Sequence, residues 1–250
     1  MQKKNKNVQI VIIAAGAGAR FKKEGFLEDK PFILVNKKMI IEYAIESFLD
    51  YENKIVVFLK EFLNKYPKQI EYLKNKYKIR LVFIDKLTKG AAETASLVEN
   101  IVCKNRALLI ADSDNFYINN QTSFFIEKAL KMKENQANLS VFENNLPLFS
   151  YIKIKNNLVV KTVEKQVVSN LAISGMYFFK KAKFFFRAFR IMKKNNLKIN
   201  NEFYLSNIYN ILINKFKQKV GFYKIQNQNY KSLGTPLQVK EYLKEINNEI

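Results

Sequence analysis

From Val8 to Asp112, short apolar runs alternate with longer segments of helical period, and few folds accommodate that rhythm. It is the pattern of βαβ units, which build a mostly parallel sheet covered by helices. Residues 8–14, 54–59, 79–84 and 106–110 read as strands. Residues 39–51, 61–77 and 91–103 read as helices, with Pro67 placed to break or bend the second. After Asp114 the rhythm changes. A helix over 122–136 leads into strand-like stretches at 139–142, 149–154, 158–163 and 172–179. Helices at 181–195, 204–217 and 236–248, with a strand at 220–225, close the chain. The expectation is a single α/β domain over 1–250, a Rossmann-like three-layer sandwich with hairpin strands added late. No repeat, low-complexity linker or domain boundary interrupts it.

Composition narrows the chemistry. Hydrophobic residues make up 48% of the 250 and aromatic ones 14%, enough for a large core. Histidine is absent, which excludes Ser-His-Asp and Cys-His catalysis, His-ligated zinc and an imidazole base. That favours a reaction whose nucleophile is already ionised, such as a phosphate oxygen, catalysed by positioning and charge neutralisation. Cys103 is the only cysteine, so no intramolecular disulfide or multi-cysteine metal site can form, and a cytoplasmic protein is expected. The basic residues 1–7 run into an apolar stretch too short for a signal peptide or a span, so no membrane anchor is expected. The formal net charge of +21 could attract nucleic acid or anionic lipid. Lysine is spread along the whole chain, however, without a basic-aromatic module, so nucleic-acid binding is not expected. Oligomerisation is left open.

Three segments carry the chemistry. The first strand runs into Ala14-Ala15-Gly16-Ala17-Gly18-Ala19-Arg20, a turn of small residues where backbone amides can approach phosphate oxygens and Arg20 adds a forked donor. Taken alone it could equally be an ordinary strand-to-loop turn. Lys30, before Pro31, is a second cation that could meet the same phosphates. Asp112 and Asp114 fall at the carboxyl end of a buried strand, where open α/β sheets bind ligands and a hard cation such as Mg²⁺ finds oxygen donors.

Taken together, the glycine turn and Asp29-Lys30-Pro31 leading to Met39-Ile40 resemble the signature of the sugar-nucleotide pyrophosphorylases, a nucleotidyltransferase family. Further matches follow in the family's order: Thr88-Lys89-Gly90-Ala91-Ala92-Glu93, Asp112-Ser113-Asp114, Glu164-Lys165, Asn170 before Gly175-Met176-Tyr177, Asn201-Glu202-Phe203-Tyr204 and Leu233-Gly234-Thr235-Pro236. The resemblance implies a GT-A-like nucleotidyltransferase fold that takes an NTP and a small phosphorylated acceptor and releases pyrophosphate. By the same resemblance Ala14, Ala15, Gly16, Ala17 and Gly18 hold the nucleotide with Thr88, Gly90, Ala91, Ala92, Glu93 and Asp112. Arg20, Lys30 and Lys165 are the implied catalytic cations. Lys165, Asn170, Gly175, Glu202 and Tyr204 meet the acceptor, and Asp114 with Asp112 holds Mg²⁺. Glu93 could accept from a cytosine amino group, a slight pointer to CTP; the alternative is a first-turn acid at a helix start capped at Thr88.

One position departs from the pattern: Ser232 stands where many members place a second metal-ligating aspartate. Sugar 1-phosphates, phosphocholine and phosphoglutamine all remain acceptors to consider, in capsule or surface-polysaccharide synthesis. A glycosyltransferase of related fold and a basic nucleic-acid- or membrane-binding protein are the competing readings.

Overall fold

The computed structural model describes residues 5–132 and 135–248. Its strands are β1 (Asn5–Ile13), β2 (Leu34–Val35), β3 (Lys38–Met39), β4 (Tyr51–Leu59), β5 (Arg80–Ile84), β6 (Ala107–Asp112), β7 (Asn115–Tyr117), β8 (Asn135–Glu143), β9 (Ser150–Lys155), β10 (Leu158–Glu164), β11 (Leu171–Phe179), β12 (Lys219–Lys224) and β13 (Tyr230–Ser232). Its α-helices are α1 (Ala19–Lys23), α2 (Ile40–Glu46), α3 (Phe62–Lys65), α4 (Pro67–Tyr77), α5 (Ala91–Ser96), α6 (Gln121–Lys131), α7 (Ala182–Lys194), α8 (Leu205–Asn214) and α9 (Pro236–Asn248).

The apolar runs of the first half become the inner strands of one sheet. Val8, Ile10, Val11 and Ile12 of β1 are fully buried, and their neighbours Val56, Val57, Leu108, Leu109 and Ile110 are too. Each such side chain contributes roughly 1.5–3 kcal/mol of transfer free energy. Gln9 is a buried polar residue among them, and it is satisfied: its amide donates to the Cys103 carbonyl at 3.0 Å and accepts from the Cys103 N–H at 2.6 Å.

The sheet runs β10-β9-β11-β6-β1-β4-β5, with β8 beside β11 and β12 beside β8. Pairing is parallel through β6, β1, β4 and β5 and again between β8 and β12; it is antiparallel where β11 meets β6, β8 and β9. The late strands therefore extend the early parallel half. Helix α5 packs on β1, α6 on β8, and α8 on β10 and β12.

This topology fixes the site. After β1 the chain moves outward to β4 and β5, then returns to place β6 on the other side of β1. That reversal opens a crevice at the carboxyl ends of β1 and β6. The register sets Ile13 beside Asp112, so the loop after β1 and the acidic turn after β6 emerge side by side.

Several elements end earlier than periodicity predicts. The helix expected over 39–51 stops at Glu46, because Ser47 bonds back to the Tyr43 carbonyl and is claimed by α6 through Thr122 Oγ1, 2.7 Å from its carbonyl. The helix expected over 91–103 stops at Ser96, whose hydroxyl caps the Glu93 carbonyl at 2.7 Å. Residues 61–77 divide at Tyr66 into α3 and α4, with Pro67 opening the second helix. The helix expected over 122–136 ends at Lys131; residues 133 and 134 of that expectation lie outside the described residues, and Asn135 already belongs to β8.

Candidate active site

Two cavities flank the carboxyl ends of β1 and β6. The first, of about 370 Å³, is lined by Ala15, Gly16, Ala17 and Lys30 on one side and by Leu87, Thr88, Gly90, Ala91 and Thr94 on the other. The second, of about 380 Å³, is lined by Arg20, Glu164, Lys165 and Tyr204 together with Phe149, Tyr177 and Tyr230. They meet at Ala91, Asp112, Asp114 and Glu202, which line both.

The shared floor rests on glycine. Gly175 has φ +95°, and a Cβ there would lie 2.7 Å from Asp112 Oδ2 and 2.5 Å from Asn115 Nδ2. Its missing side chain is the space the Asp112 carboxylate occupies. A Cβ on Gly234 would lie 2.9 Å from Asp114 Oδ2, and the Leu233 N–H donates to the Asp114 carbonyl at 2.7 Å. The antiparallel pair β7–β13, with Ser232 opposite Asn115, brings that late segment to the acidic turn. Burial, and then the carboxylate of Asp114, push Asp112 well above the usual carboxylate range, against the pull of Lys30.

Lys30 Nζ lies 2.7 Å from Asp114 Oδ2, with both side chains 18% exposed. Asp29 holds that turn in place: its N–H donates to Tyr66 Oη at 2.8 Å, and its carboxylate pairs with Lys22 and Lys65. On the far side Lys165, at φ +51°, donates its N–H to the Phe149 carbonyl at 3.1 Å and Nζ to Tyr204 Oη at 2.9 Å. The bond to Tyr204 raises the Lys165 pKa and keeps it cationic.

Six predicted residues line neither cavity. Ala14 is buried and gives its N–H to Val57, continuing the β1–β4 ladder. Ala92 is buried and gives its N–H to Phe203 at 3.0 Å. Gly18 and Gly175 act through the space they leave, Gly18 beneath Lys30 with its φ at +61° and a would-be Cβ 3.2 Å from Lys30 Cβ. Asn170 is exposed and contributes its carbonyl to the Asn144 N–H. Glu93 is turned away: Oε2 takes the Lys89 N–H at 2.8 Å and Oε1 pairs with Lys193 at 3.1 Å. Those bonds outweigh its burial and lower its pKa. Glu93 thus stands as the first-turn acid of α5 and lines neither cavity.

Other residues were not anticipated. Thr94 shares a 2.6 Å hydroxyl bond with Thr88 in the first cavity. Glu164 accepts from the hydroxyls of Ser150 and Ser206 in the second, where Tyr230 and Gln238 also stand. Glu164 and Tyr177 lie inside motifs already noticed, so proximity to Lys165 and Gly175 was the available signal. Tyr230 and Gln238 belong to no motif. The loop 88–92 is also tied to the second cavity's wall: the Phe203 N–H donates to the Lys89 carbonyl at 2.6 Å, and a Cβ on Gly90, at φ +120°, would strike the Phe203 backbone at 2.7 Å.

Among the described residues no group of three or more acidic or cysteine side chains gathers as a metal cage, and no helix is long and apolar enough to cross a membrane. Asp112 and Asp114 supply a pair of hard oxygen donors. Ser232, in the second cavity, contributes a hydroxyl that faces Gln238 Oε1 at 3.3 Å.

The sequence profile described as Nucleotidyl transferase matches residues 9–223. Choline-phosphate cytidylyltransferase of Streptococcus pneumoniae (strain ATCC BAA-255 / R6) is 35% identical over 79 residues, 32% of this chain. That match spans 33% of the relative's length. Among solved structures, a nucleoside-diphosphate-sugar pyrophosphorylase from Vibrio cholerae RC9 superposes with a TM-score of 0.79 at 20% identity, over 94% of this chain and 100% of that one. The CTP:phosphocholine cytidylyltransferase of Streptococcus pneumoniae superposes with a TM-score of 0.72 at 19% identity, over 96% and 99%. At such identities the two structures share the α/β fold with this chain, and the comparison extends no further.

Proposed function

This chain belongs to the nucleotidyl transferase family, and from that premise we propose that it transfers CMP from CTP to a small phosphorylated acceptor and releases pyrophosphate. The observation that carries the reading is the meeting of two cavities at one acidic floor, Asp112 and Asp114, each cavity with its own cations. A triphosphate suits the first, where a Cβ on Gly16 would meet nothing within 4 Å and Lys30 is the cation. An acceptor phosphate suits the second, between Arg20 and Lys165.

In the transfer, an acceptor phosphate oxygen attacks the α-phosphorus in line, and the bond from that phosphorus to the bridging oxygen breaks as pyrophosphate leaves. The nucleophile is ionised at neutral pH, so no base is required of a chain without histidine. Lys165 and Arg20 orient it, while Lys30 meets the charge that grows on the leaving group. Mg²⁺ fits the donor set: it favours one or two carboxylates completed by water and phosphate oxygens, and Asp112 is a half-buried carboxylate beside a second one. When bound, it would neutralise triphosphate charge.

CTP is preferred over other NTPs because the relative with 35% identity is a cytidylyltransferase. Choline phosphate is the first acceptor to test. That same relative is a choline-phosphate enzyme, and the second cavity sets Phe149, Tyr177, Tyr204 and Tyr230 beside Glu164 and Glu202, which suits a quaternary ammonium head. A sugar 1-phosphate is the second reading, favoured by the likeness of fold to the Vibrio cholerae pyrophosphorylase. On either reading the product would serve capsule or surface-polysaccharide synthesis from the cytoplasm. The test incubates each of the four NTPs with choline phosphate, glucose 1-phosphate and phosphoglutamine and reads pyrophosphate. CTP with choline phosphate is expected to lead; silence from every pair overturns nucleotidyl transfer and leaves the glycosyltransferase to be tried with sugar nucleotides.

A further inference from the structure

The acceptor cavity does not end at its aromatic wall. Leu148, Phe149, Tyr230, Ser232, Thr235 and Gln238 also line a groove of about 320 Å³ that continues between the loop 144–149 and α9. Its outer walls set Phe142, Leu146, Leu237 and Tyr242 beside Asn144, Glu241 and the ion pair of Lys231 with Glu245. Leu146, Leu148 and Leu237, on two separate elements, are 50%, 55% and 63% exposed, and all three border this one groove. Exposed leucines scattered singly need no explanation, but three around a channel that opens on a reaction centre do.

The loop is held open rather than free to fold inward. Tyr151 Oη donates to the Leu146 carbonyl at 2.6 Å, the Leu146 N–H donates to Asn144 Oδ1 at 2.8 Å, and the Asn144 N–H donates to the Asn170 carbonyl at 3.1 Å. The groove is therefore formed in advance, as ligand sites usually are. The six shared residues make it continuous with the acceptor cavity, so a substituent leaving that cavity away from Asp112 enters it directly.

We infer that the groove receives an apolar arm of the acceptor, and that the enzyme favours a phosphorylated acceptor carrying an alkyl or similar substituent over the bare head group. This rests on the reading of the second cavity as the acceptor's. The arm lies against Leu146, Leu148 and Leu237, while the phosphate stays with Arg20 and Lys165.

The test separates the two claims by binding. Methyl, butyl and hexyl phosphate are titrated calorimetrically into the protein with Mg²⁺ and α,β-methylene-CTP filling the nucleotide cavity. Hexyl phosphate is expected to bind at least about tenfold tighter than methyl phosphate, which needs fewer than half of its added methylenes to be fully buried. The double variant Leu146→Ser, Leu237→Ser, at two exposed positions outside the acceptor cavity, is expected to flatten this dependence while methyl phosphate binds unchanged. A wild-type affinity independent of chain length overturns the arm but not the acceptor cavity. So does a variant that keeps the dependence, or one that loses methyl phosphate as strongly as hexyl phosphate, the mark of a closing lid. If wild-type protein binds none of the three, the acceptor reading fails and takes the arm with it.

Discussion

Asp112 and Asp114 stand two positions apart in sequence, yet their surroundings divide the work between them. Asp112 fills the space that Gly175 vacates, whereas Asp114 faces Lys30 across 2.7 Å and abuts Gly234. Asp114→Ala removes a donor reachable from both cavities and leaves the core untouched, so turnover should nearly vanish while the thermal midpoint holds; near-normal rates at limiting Mg²⁺ would refute its role. Gly175→Ala should act on Asp112 from beneath. The new Cβ meets Asp112 Oδ2 at 2.7 Å in a backbone conformation that alanine rarely adopts, a cost of about 1–3 kcal/mol. Stability and kcat should fall together, and an alanine variant with wild-type kinetics would show that Asp112 need not be held there. Lys165→Ala should raise the acceptor KM and slow turnover by roughly 10- to 1,000-fold with NTP affinity nearly unchanged. Lys161→Ala is the control: it is an exposed lysine of β10 that lines neither cavity. Equal effects from the two would dissolve the division of the site.

Elements matter through their ends. Helix α2 begins where Glu42 Oε2 takes the Met39 N–H at 3.0 Å, and the same carboxylate accepts from Tyr77 at 2.7 Å, Lys76 at 3.0 Å and Tyr72 at 3.1 Å. Burial pushes the Glu42 pKa up, but these bonds outweigh it and bring it below the usual range. A depressed carboxylate contributes stability above its unfolded pKa of about 4.3, and loses it as pH falls through the lower folded value. Glu42→Gln should therefore cost about 1–3 kcal/mol at pH 7, with the gap to wild type closing once both carboxyls are neutral at low pH. A gap in melting temperature that persists under strong acid would assign the loss to packing. How far such ends can be read from sequence varies with what sets them. The strands β1, β4 and β6 were legible because burial on both faces leaves continuous apolar runs, and the loop after β1 because glycine and alanine leave little else for it to be. The stops at Glu46 and Ser96 were not, since side-chain hydroxyls impose them, in one case through a contact with α6. Nor was β13, a three-residue strand whose partner β7 lies more than a hundred positions earlier. Glu93 had a legible alternative in its own helix start, and its bond to the Lys89 N–H is the local contact that alternative describes.

At the scale of the whole molecule, one sheet carries the walls of both cavities and joins them at its switch point. The net charge of +21 is not concentrated there, because the shared floor is acidic and the cavities hold only Arg20, Lys30 and Lys165 as cations. The two cavities have separate linings apart from Ala91, Asp112, Asp114 and Glu202, and loop 88–92 is bonded to the Phe203 backbone beside the acceptor wall. On the proposed reading both substrates would occupy the protein at once, with the acceptor phosphate facing the α-phosphorus. A covalent nucleotidyl-enzyme would need a side-chain nucleophile at the floor. Cys103 lies in the loop before β6, at the sheet's other end, histidine is absent, and of the floor carboxylates Asp112, Asp114 and Glu202 the second is paired with Lys30. A single in-line displacement is the expected course of the proposed reaction, and it has a stereochemical signature. With CTP carrying one sulfur at the α-phosphorus in a defined configuration, the product should show inversion, and initial rates with both substrates varied should give intersecting lines. Retention with parallel lines would mean two displacements, and an attacking residue at the floor that neither cavity's chemistry accounts for.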